Sequence, residues 1–423
     1  MKKKVIMILG LVVLIGLIIL GVFKIMNKKD NKKEVNYDNS FNLNLIKTIN
    51  ISKNENYLIS PYSIEIALNL LKEGANGNTL TEIEKLIGSR KINDVSVKDK
   101  VSVANAAFIM NKYKDVINED FYKSIKTKYN SEILYDDFTS PKVINDWVNE
   151  KTNGMIDKIL DDIDKDFVLG LANALAIDVE WMDEFECTAT TGDKFTKDNG
   201  SSYNTEMMHK TLKYDSYKYL SSDDAKGVII PYKKYNTKGE EDNKDGKNLE
   251  FLAILPDGKL QDYINDLTED KLNELDKSAK EVSDKFEINL ALPRFKYDYE
   301  IKDFIDVLKK LGIKDAFDKD LADFTKIVPR NNRSDIENLY VGEAIHKTHI
   351  DLNEKGTKAA AITYFGMFKA TGMPTKVESV SITFNRPFMY IIRDAETKEM
   401  LFFGAVYEPN KWIGTTCLEE GNK

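Results

Sequence analysis

Asn353-Glu354-Lys355-Gly356-Thr357-Lys358-Ala359-Ala360-Ala361-Ile362-Thr363-Tyr364-Phe365-Gly366-Met367-Phe368-Lys369-Ala370-Thr371-Gly372-Met373-Pro374 reads neither as a core element nor as an ordinary surface loop. Gly356, Thr357 and three consecutive alanines offer little apolar surface to bury, whereas a core element would carry more bulk. A typical loop would carry more charge and more Gly or Pro. The segment lies between two strand-like runs, 339–352 and 380–392. Side chains alternate across a strand, so Thr357, Ala359, Ala361, Thr363, Phe365 and Met367 would share one face, all apolar or hydroxyl. Lys358, Ala360, Ile362, Tyr364 and Gly366 would share the other, which holds the only charge before Lys369. A segment patterned this way suits an exposed loop and also suits a place between two strands, because its first inward residues are small.

Glu354-Lys355-Gly356-Thr357-Lys358-Ala359-Ala360-Ala361-Ile362-Thr363 resembles the reactive-centre hinge of the serpins, whose pattern is close to E-x-G-T-x-A-A-A-x-T. Two positions depart from it. Serpins usually have an acidic residue where Lys358 stands and a small one where Ile362 stands. Both fall on the outward face, so insertion is expected to survive them. Without the family, the same stretch reads as an Ala-rich surface loop.

The resemblance continues through the chain in collinear order, from about Asn36 to Lys411. Ser60-Pro61-Tyr62-Ser63-Ile64 is similar to S-P-x-S-I, and Ser60 followed by Pro61 predicts a helix N-cap and first turn. Ile64, Ala67, Leu68 and Leu71 follow at helical spacing. Gly74-Ala75-Asn76-Gly77-Asn78-Thr79 is similar to G-A-x-G-x-T, and Thr79-Leu80-Thr81-Glu82 fits a capping box for the next helix. Ala104 to Phe108 looks like the family's following strand. Ile144-Asn145-Asp146-Trp147-Val148, with Thr152 and Gly154, matches I-N-x-W-V-x-x-x-T-x-G. Asn173, Ala174, Trp181 and Phe185 keep the spacing of N-A-x-x-x-x-x-x-W-x-x-x-F. Glu206-Met207-Met208, Phe251 to Pro256, Leu290 to Phe295, Leu308 to Phe317, Phe384-Asn385-Arg386-Pro387-Phe388 and Phe402-Phe403-Gly404 complete the set. Lys233 to Lys247, polar and charged, reads as a long, poorly ordered hairpin tip. The resemblance implies an α/β-type single domain of three β-sheets and about nine helices with an exposed reactive-centre loop.

The chain has 423 residues and a formal charge of -8. That balance argues against nucleic acid, which needs a concentrated basic face. Val5 to Phe23 is nineteen uncharged, strongly apolar positions between Lys2-Lys3-Lys4 and Lys24. About 20 such residues cross a bilayer as a helix, and no A-x-A-like cleavage site precedes Lys24. Residues 1–26 are therefore expected to be an uncleaved signal-anchor, with removal as a signal peptide the alternative. Residues 27–40 read as a polar tether, 41–412 as the domain with its loop at about 354–379, and 413–423 as a tail. Lysines on both sides of the apolar run weaken the positive-inside rule, so an exported body on the cell membrane, of bacterial type, rests on the resemblance. Cys187 and Cys417 are too few for a disulfide framework. One bridge suits an exported body, yet two unpaired thiols are the preferred reading.

Only three histidines are present: His209, His346 and His349. His346 and His349 are three apart, but residues 344–352 read as a strand, where such positions face opposite ways, so no metal is expected. No G-x-S-x-G, H-E-x-x-H, phosphate-loop or Cys-Cys ligand pattern occurs, so neither cofactor nor catalytic residue is assigned. A strand histidine is more often a satisfied core group than a functional one. The resemblance adds another role: His346 with Ser60, Ser63 and Asn173 would form the shutter, a cluster of breakable hydrogen bonds beneath the main sheet. Trp181, a core or sheet-face aromatic in any fold, would stand at the breach, where the loop enters. Family counting puts the scissile bond fourteen residues past Gly356, at Ala370–Thr371, with Lys369, Phe368 or Met367 as alternatives. The loop is about six residues longer before Phe384 than in familiar serpins, so this count can slip.

The resemblance implies suicide inhibition of a serine or cysteine protease by a monomer that is not an enzyme. The hinge residues Glu354, Gly356, Thr357, Ala359, Ala360, Ala361 and Thr363 would enter the main sheet as a new strand. The alternatives are a non-inhibitory serpin-fold binding module and, more remotely, a membrane-anchored hydrolase using His346 or His209.

Overall fold

The structure, a computed structural model, describes residues 40–49, 54–90, 92–165, 167–329, 338–357 and 377–414. The apolar run near the N-terminus, the loop from Lys358 to Lys376 and the tail beyond Gly414 lie outside the described residues. Among the described residues no helix is long and apolar enough to cross a membrane.

Long apolar runs build the centre of the molecule. Leu249–Pro256 and Met400–Val406 are buried along their whole length, as strands covered on both faces must be. They belong to a seven-stranded sheet ordered Tyr57–Ile59, Met400–Val406, Phe388–Asp394, Leu249–Pro256, Ala225–Pro231, Lys218–Ser221, Lys280–Glu281. A second sheet places Glu378–Thr383 parallel to Phe286–Pro293, followed by Ser202–Leu212 and Thr191–Thr196. The helix Pro61–Gly74 begins as its sequence requires: the Ser60 hydroxyl accepts from the Ser63 amide, and Pro61 opens the first turn. It packs against Leu169–Ile177 and Met400–Val406.

The resemblance implied three sheets; among the described residues there are four. The extra one arises because the largest expected sheet is parted. Glu132–Asp136, Val101–Met110 and Leu169–Ile177 form one half. Phe295–Glu300, Lys347–Leu352, Gly356–Thr357 and Val179–Glu180 form the other. Leu169–Ile177 and Val179–Glu180 are consecutive in the chain, separated only by Asp178. Above Asp178, Gly356–Thr357 bridges Lys347–Leu352 to Val179–Glu180, the continuation of Leu169–Ile177; below it no ladder joins Leu169–Ile177 to the chain leading into Lys347. A cavity lined by Ser60, Ser63, Phe108, Asn173, Ile345 and His346 fills that gap. Eight α-helices surround the sheets among the described residues, close to the nine expected.

Several local expectations are corrected. The run 339–352 is a strand only over Lys347–Leu352, because the residues before it border the gap and have no ladder partner. The run 380–392 is two strands in two different sheets, broken where Pro387 has no N–H to offer a ladder. Ser40, placed in the tether, opens the helix Ser40–Ile49. The second helix starts at Gly77 with Asn76 at its cap, so the Thr79 capping box does not form. Thr79 is fully buried and its hydroxyl accepts from Asp323 N, while Glu82 accepts from Lys314 N and Asp315 N. Tertiary partners took the groups that the local motif would have used. Residues 233–247 do form a hairpin connection, but an anchored one. Tyr235 is buried, bridges to Glu241 and Lys247, and donates to Glu180 at 3.0 Å.

Candidate functional site

The site is the gap in the parted sheet, and its upper end is already occupied. Gly356 and Thr357 pair with Glu180 and Val179 on one side, and Thr357 pairs with Leu352 on the other. A side chain at 356 cannot be accommodated: a Cβ there would stand 2.1 Å from the Val179 carbonyl oxygen. Thr357 is 5% exposed, and its Oγ1 lies 2.7 Å from the hydroxyl of Tyr232. Tyr232 stacks on Trp181, with centroids 4.6 Å apart and planes at 7°. Trp181, with no exposed surface, donates from Nε1 to Asn353 O at 2.9 Å and from its amide to Lys355 O at 2.8 Å.

Glu354 is buried beside this stack. Its carboxylate accepts from Arg294 Nε at 2.6 Å and from the Thr190 hydroxyl, and its carbonyl accepts from Phe185 N at 2.8 Å. A buried carboxylate needs such partners, since ionised groups taken from water unpaired are strongly unfavourable. The Val179–Glu180 wall is fixed by Glu180, which takes hydrogen bonds from Lys233, Tyr235 and Lys100. Burial raises the Glu180 carboxyl pKa, but these partners, Lys233 first, outweigh it and hold the group below its ordinary range.

Below, a second polar network spans the gap. Ser60 N donates to His346 Nε2 at 3.0 Å, and the Ser60 hydroxyl donates to Leu401 O at 2.7 Å. The Ser63 hydroxyl donates to Asn173 Oδ1, and Asn173 Nδ2 donates to Asn105 Oδ1 at 2.6 Å. Asn105 in turn donates to Tyr129 O at 2.9 Å. Thr348 donates to Leu58 O at 2.8 Å. Because Nε2 accepts, the neutral His346 carries its proton on Nδ1. Burial pushes its pKa down from 6.5 to about 3, so the ring is neutral at ordinary pH.

The structure thus brings Ser60, Ser63, Asn173 and His346 to one network, and Glu354, Gly356, Thr357 and Trp181 to another. Ala359, Ala360, Ala361 and Thr363 of the hinge lie outside the described residues, as do Ala370, Thr371, Lys369, Phe368 and Met367 at the reactive bond. His346 faces inward, whereas His349 bonds Asp298 at 2.7 Å across the outward face. His209 touches Thr191 Oγ1 and Asp193 Oδ2, both at 3.1 Å and both through Nε2. A triad would need the acid on the other nitrogen, so this trio has the wrong geometry for one.

Sequence reading missed Tyr232, Thr190, Asn105 and Glu180, and gave Arg294 no role. Arg294 and Asn105 were inside quoted motifs; Tyr232 and Thr190 had no local signal, because their partners lie 125 and 164 residues away. The preference for unpaired thiols is also corrected. Cys187 is disulfide-bonded. The chain's other cysteine, Cys417, lies outside the described residues.

Comparison with known proteins follows the same lines. The family model described as Serpin (serine protease inhibitor) matches residues 36–409. The leukocyte elastase inhibitor of Equus caballus is 28% identical over 395 residues, covering 87% of this chain and 97% of that protein. The crystal structure of the thermophilic serpin tengpin in its native state is similar at a TM-score of 0.73 and 34% identity, covering 90% of this chain and 95% of the other. Tengpin in its latent state gives 0.69 at 32% identity, with 90% and 100% covered.

Proposed function

The chain belongs to the serpin family, and from that footing we propose that it traps a serine or cysteine endopeptidase as a suicide substrate. The protease nucleophile attacks the carbonyl carbon of Ala370. The bond to the Thr371 nitrogen breaks, and an acyl-enzyme remains on the loop. The freed segment then fills the gap as a strand and carries the protease with it before water can release it. Strand insertion and release of stored strain of this kind are the mode of action for which serpins are known. What this chain adds is the register.

That register is the observation which carries the reading. Thr357 pairs with Leu352 and with Val179. Continued one residue at a time, Ala359 would face Ile350 and Ile177, Ala361 would face Thr348 and Leu175, and Thr363 would face His346 and Asn173. Ile350, Thr348 and His346 are the buried positions of their wall, so the small residues would arrive where space is scarce. The Thr363 hydroxyl would arrive at the polar network. On the outward face Lys358 would stand between Asp351 and Asp178. The family departure at Lys358 thus has complementary charge waiting on both walls.

We further propose that residues 1–26 hold a monomeric body outside the cell membrane, with secretion after cleavage as the alternative. The inhibitor reading is tested by incubating the full chain with subtilisin, elastase, trypsin and papain and looking for an SDS-resistant adduct. An adduct supports it. Simple cleavage of the loop points to a non-inhibitory module, and turnover of an added substrate by the chain itself points to a hydrolase. Mass spectrometry of the released fragment identifies the scissile bond.

A further inference from the structure

We propose that the apolar pocket beside the gap, between the helices Pro61–Gly74 and Phe304–Lys310, binds a small cationic amphiphile: an ammonium group carrying an apolar body of about six carbons. The proposal stands on the cavities alone and needs no part of the insertion reading.

The pocket is built from apolar side chains of separate elements. Leu68 and Leu71 come from Pro61–Gly74, Leu171 from Leu169–Ile177, the strand that borders the gap, and Phe304 and Leu308 from Phe304–Lys310; Phe317 completes the set. Its volume is about 70 Å3. A water-sized group takes up about 10–15 Å3 of such space, so there is room for about five to seven of them, the size of one ring or a short alkyl chain. Apolar cavities of this kind stay dry and take apolar guests.

The mouth has the opposite chemistry. Glu343 is the only ionisable residue lining the pocket, and it also lines a larger cavity of about 630 Å3 that meets the pocket at Phe304 and at Glu343, Ala344 and Ile345. The larger cavity sets Asp161, Asp162, Glu300, Asp303, Asp306 and Glu343 against only Lys158 and Lys347. Both lysines have other partners. Lys158 pairs with Asp161 at 2.5 Å, and Lys347 Nζ donates to Lys158 O at 3.1 Å. Among the described residues no cation pairs with Glu343. Although Glu343 still reaches solvent, burial and then the nearby charge of Asp164 raise its carboxyl above the ordinary range.

This division selects one occupant. An ammonium at the mouth would meet opposite charge while its tail lay among the leucines. An anionic amphiphile with the same tail would be repelled, and a polyamine would leave the apolar pocket without a guest. The guest would touch Leu171 on one side of the gap and Ala344 and Ile345 on the other, where no ladder joins the two. It would therefore hold the lower half of the parted sheet in the form described, and stabilise the folded chain by mass action as its concentration rises.

The test titrates the full chain with n-hexylammonium chloride, sodium hexanoate and methylammonium chloride at matched ionic strength, by calorimetry and by the thermal unfolding midpoint. Hexylammonium should bind and raise the midpoint. Hexanoate has the tail with the wrong charge, and methylammonium the charge with no tail, so neither should do so at the same concentration. Glu343→Lys, at a side chain that reaches solvent, should weaken hexylammonium several-fold and strengthen hexanoate. Ala344→Leu puts bulk at the pocket mouth and should weaken both amphiphiles; if it does not fold, the charge swap decides alone. Hexylammonium that neither binds nor raises the midpoint, hexanoate that binds as tightly, or hexylammonium binding that the variants leave unchanged would overturn the proposal.

Discussion

The hydroxyl of Tyr232 stands 2.7 Å from Oγ1 of Thr357, across 125 residues of sequence. This contact holds Thr357 inside the sheet, where it pairs with Leu352 and Val179. On the proposed reading, a strand continued from Thr357 would have a fixed starting point and register.

Thr357→Arg should convert the chain from inhibitor to substrate. A guanidinium at this position would have to lie buried against Tyr232 and Val179 with no acid to pair with, and unpaired buried charge is strongly unfavourable. The expected result is rapid loop cleavage with no SDS-resistant adduct. Unchanged inhibition would remove this account of the hinge.

Tyr232→Phe keeps the stack on Trp181 and deletes one hydrogen bond, leaving the Thr357 hydroxyl buried without it. Stability should fall by about 1–3 kcal/mol, the penalty for an unsatisfied buried polar group. Urea unfolding of the intact chain measures this, and an unshifted midpoint would mean that the contact contributes nothing.

Lys358→Glu tests the register. Residue 358 is outside the described residues; the proposed reading has it enter the sheet only after cleavage, so unfolding of the uncleaved chain should be unaffected. After cleavage the new carboxylate would face Asp351 and Asp178, so the loop-inserted form should lose heat resistance and more loop should be cut per protease trapped. Equal heat resistance of the two cleaved proteins would contradict the extended register.

His346 makes stability depend on pH in a defined direction. Its folded pKa, about 3, lies below the ordinary 6.5, so the unfolded chain binds the extra proton first. Its contribution is complete above pH 6.5 and is lost progressively as pH falls towards 3. His346→Gln, which can still accept from Ser60 N, should flatten the acid limb of the stability curve. An identical acid limb in both proteins would assign the titration elsewhere.

Much of this was legible in the chain because it depends on period and on neighbours. Ser60-Pro61 needs only the first turn of a helix, and the inward face read for the stretch from Thr357 is met at Thr357 itself, which is buried, the residues after it lying outside the described ones. The misreadings share a cause. Thr79 and Glu82 have the spacing of a local cap, but Asp323, Lys314 and Asp315 arrived from elsewhere and took their oxygens. Tyr232, Thr190 and Glu180 acquire their roles only when distant strands meet at the gap. The parted sheet itself has no local signature, because it consists of a pairing that is not made between Leu169–Ile177 and the chain before Lys347.

The most direct measurement is the thermal unfolding midpoint of the full chain before and after a single proteolytic nick within 358–376. If the loop beyond Thr357 completes the parted sheet, the nicked protein should unfold at a markedly higher temperature than the intact one, with new exchange protection along Leu169–Ile177 and Lys347–Leu352. A nicked protein that melts at or below the intact value, with both walls still exchanging freely, would contradict the account.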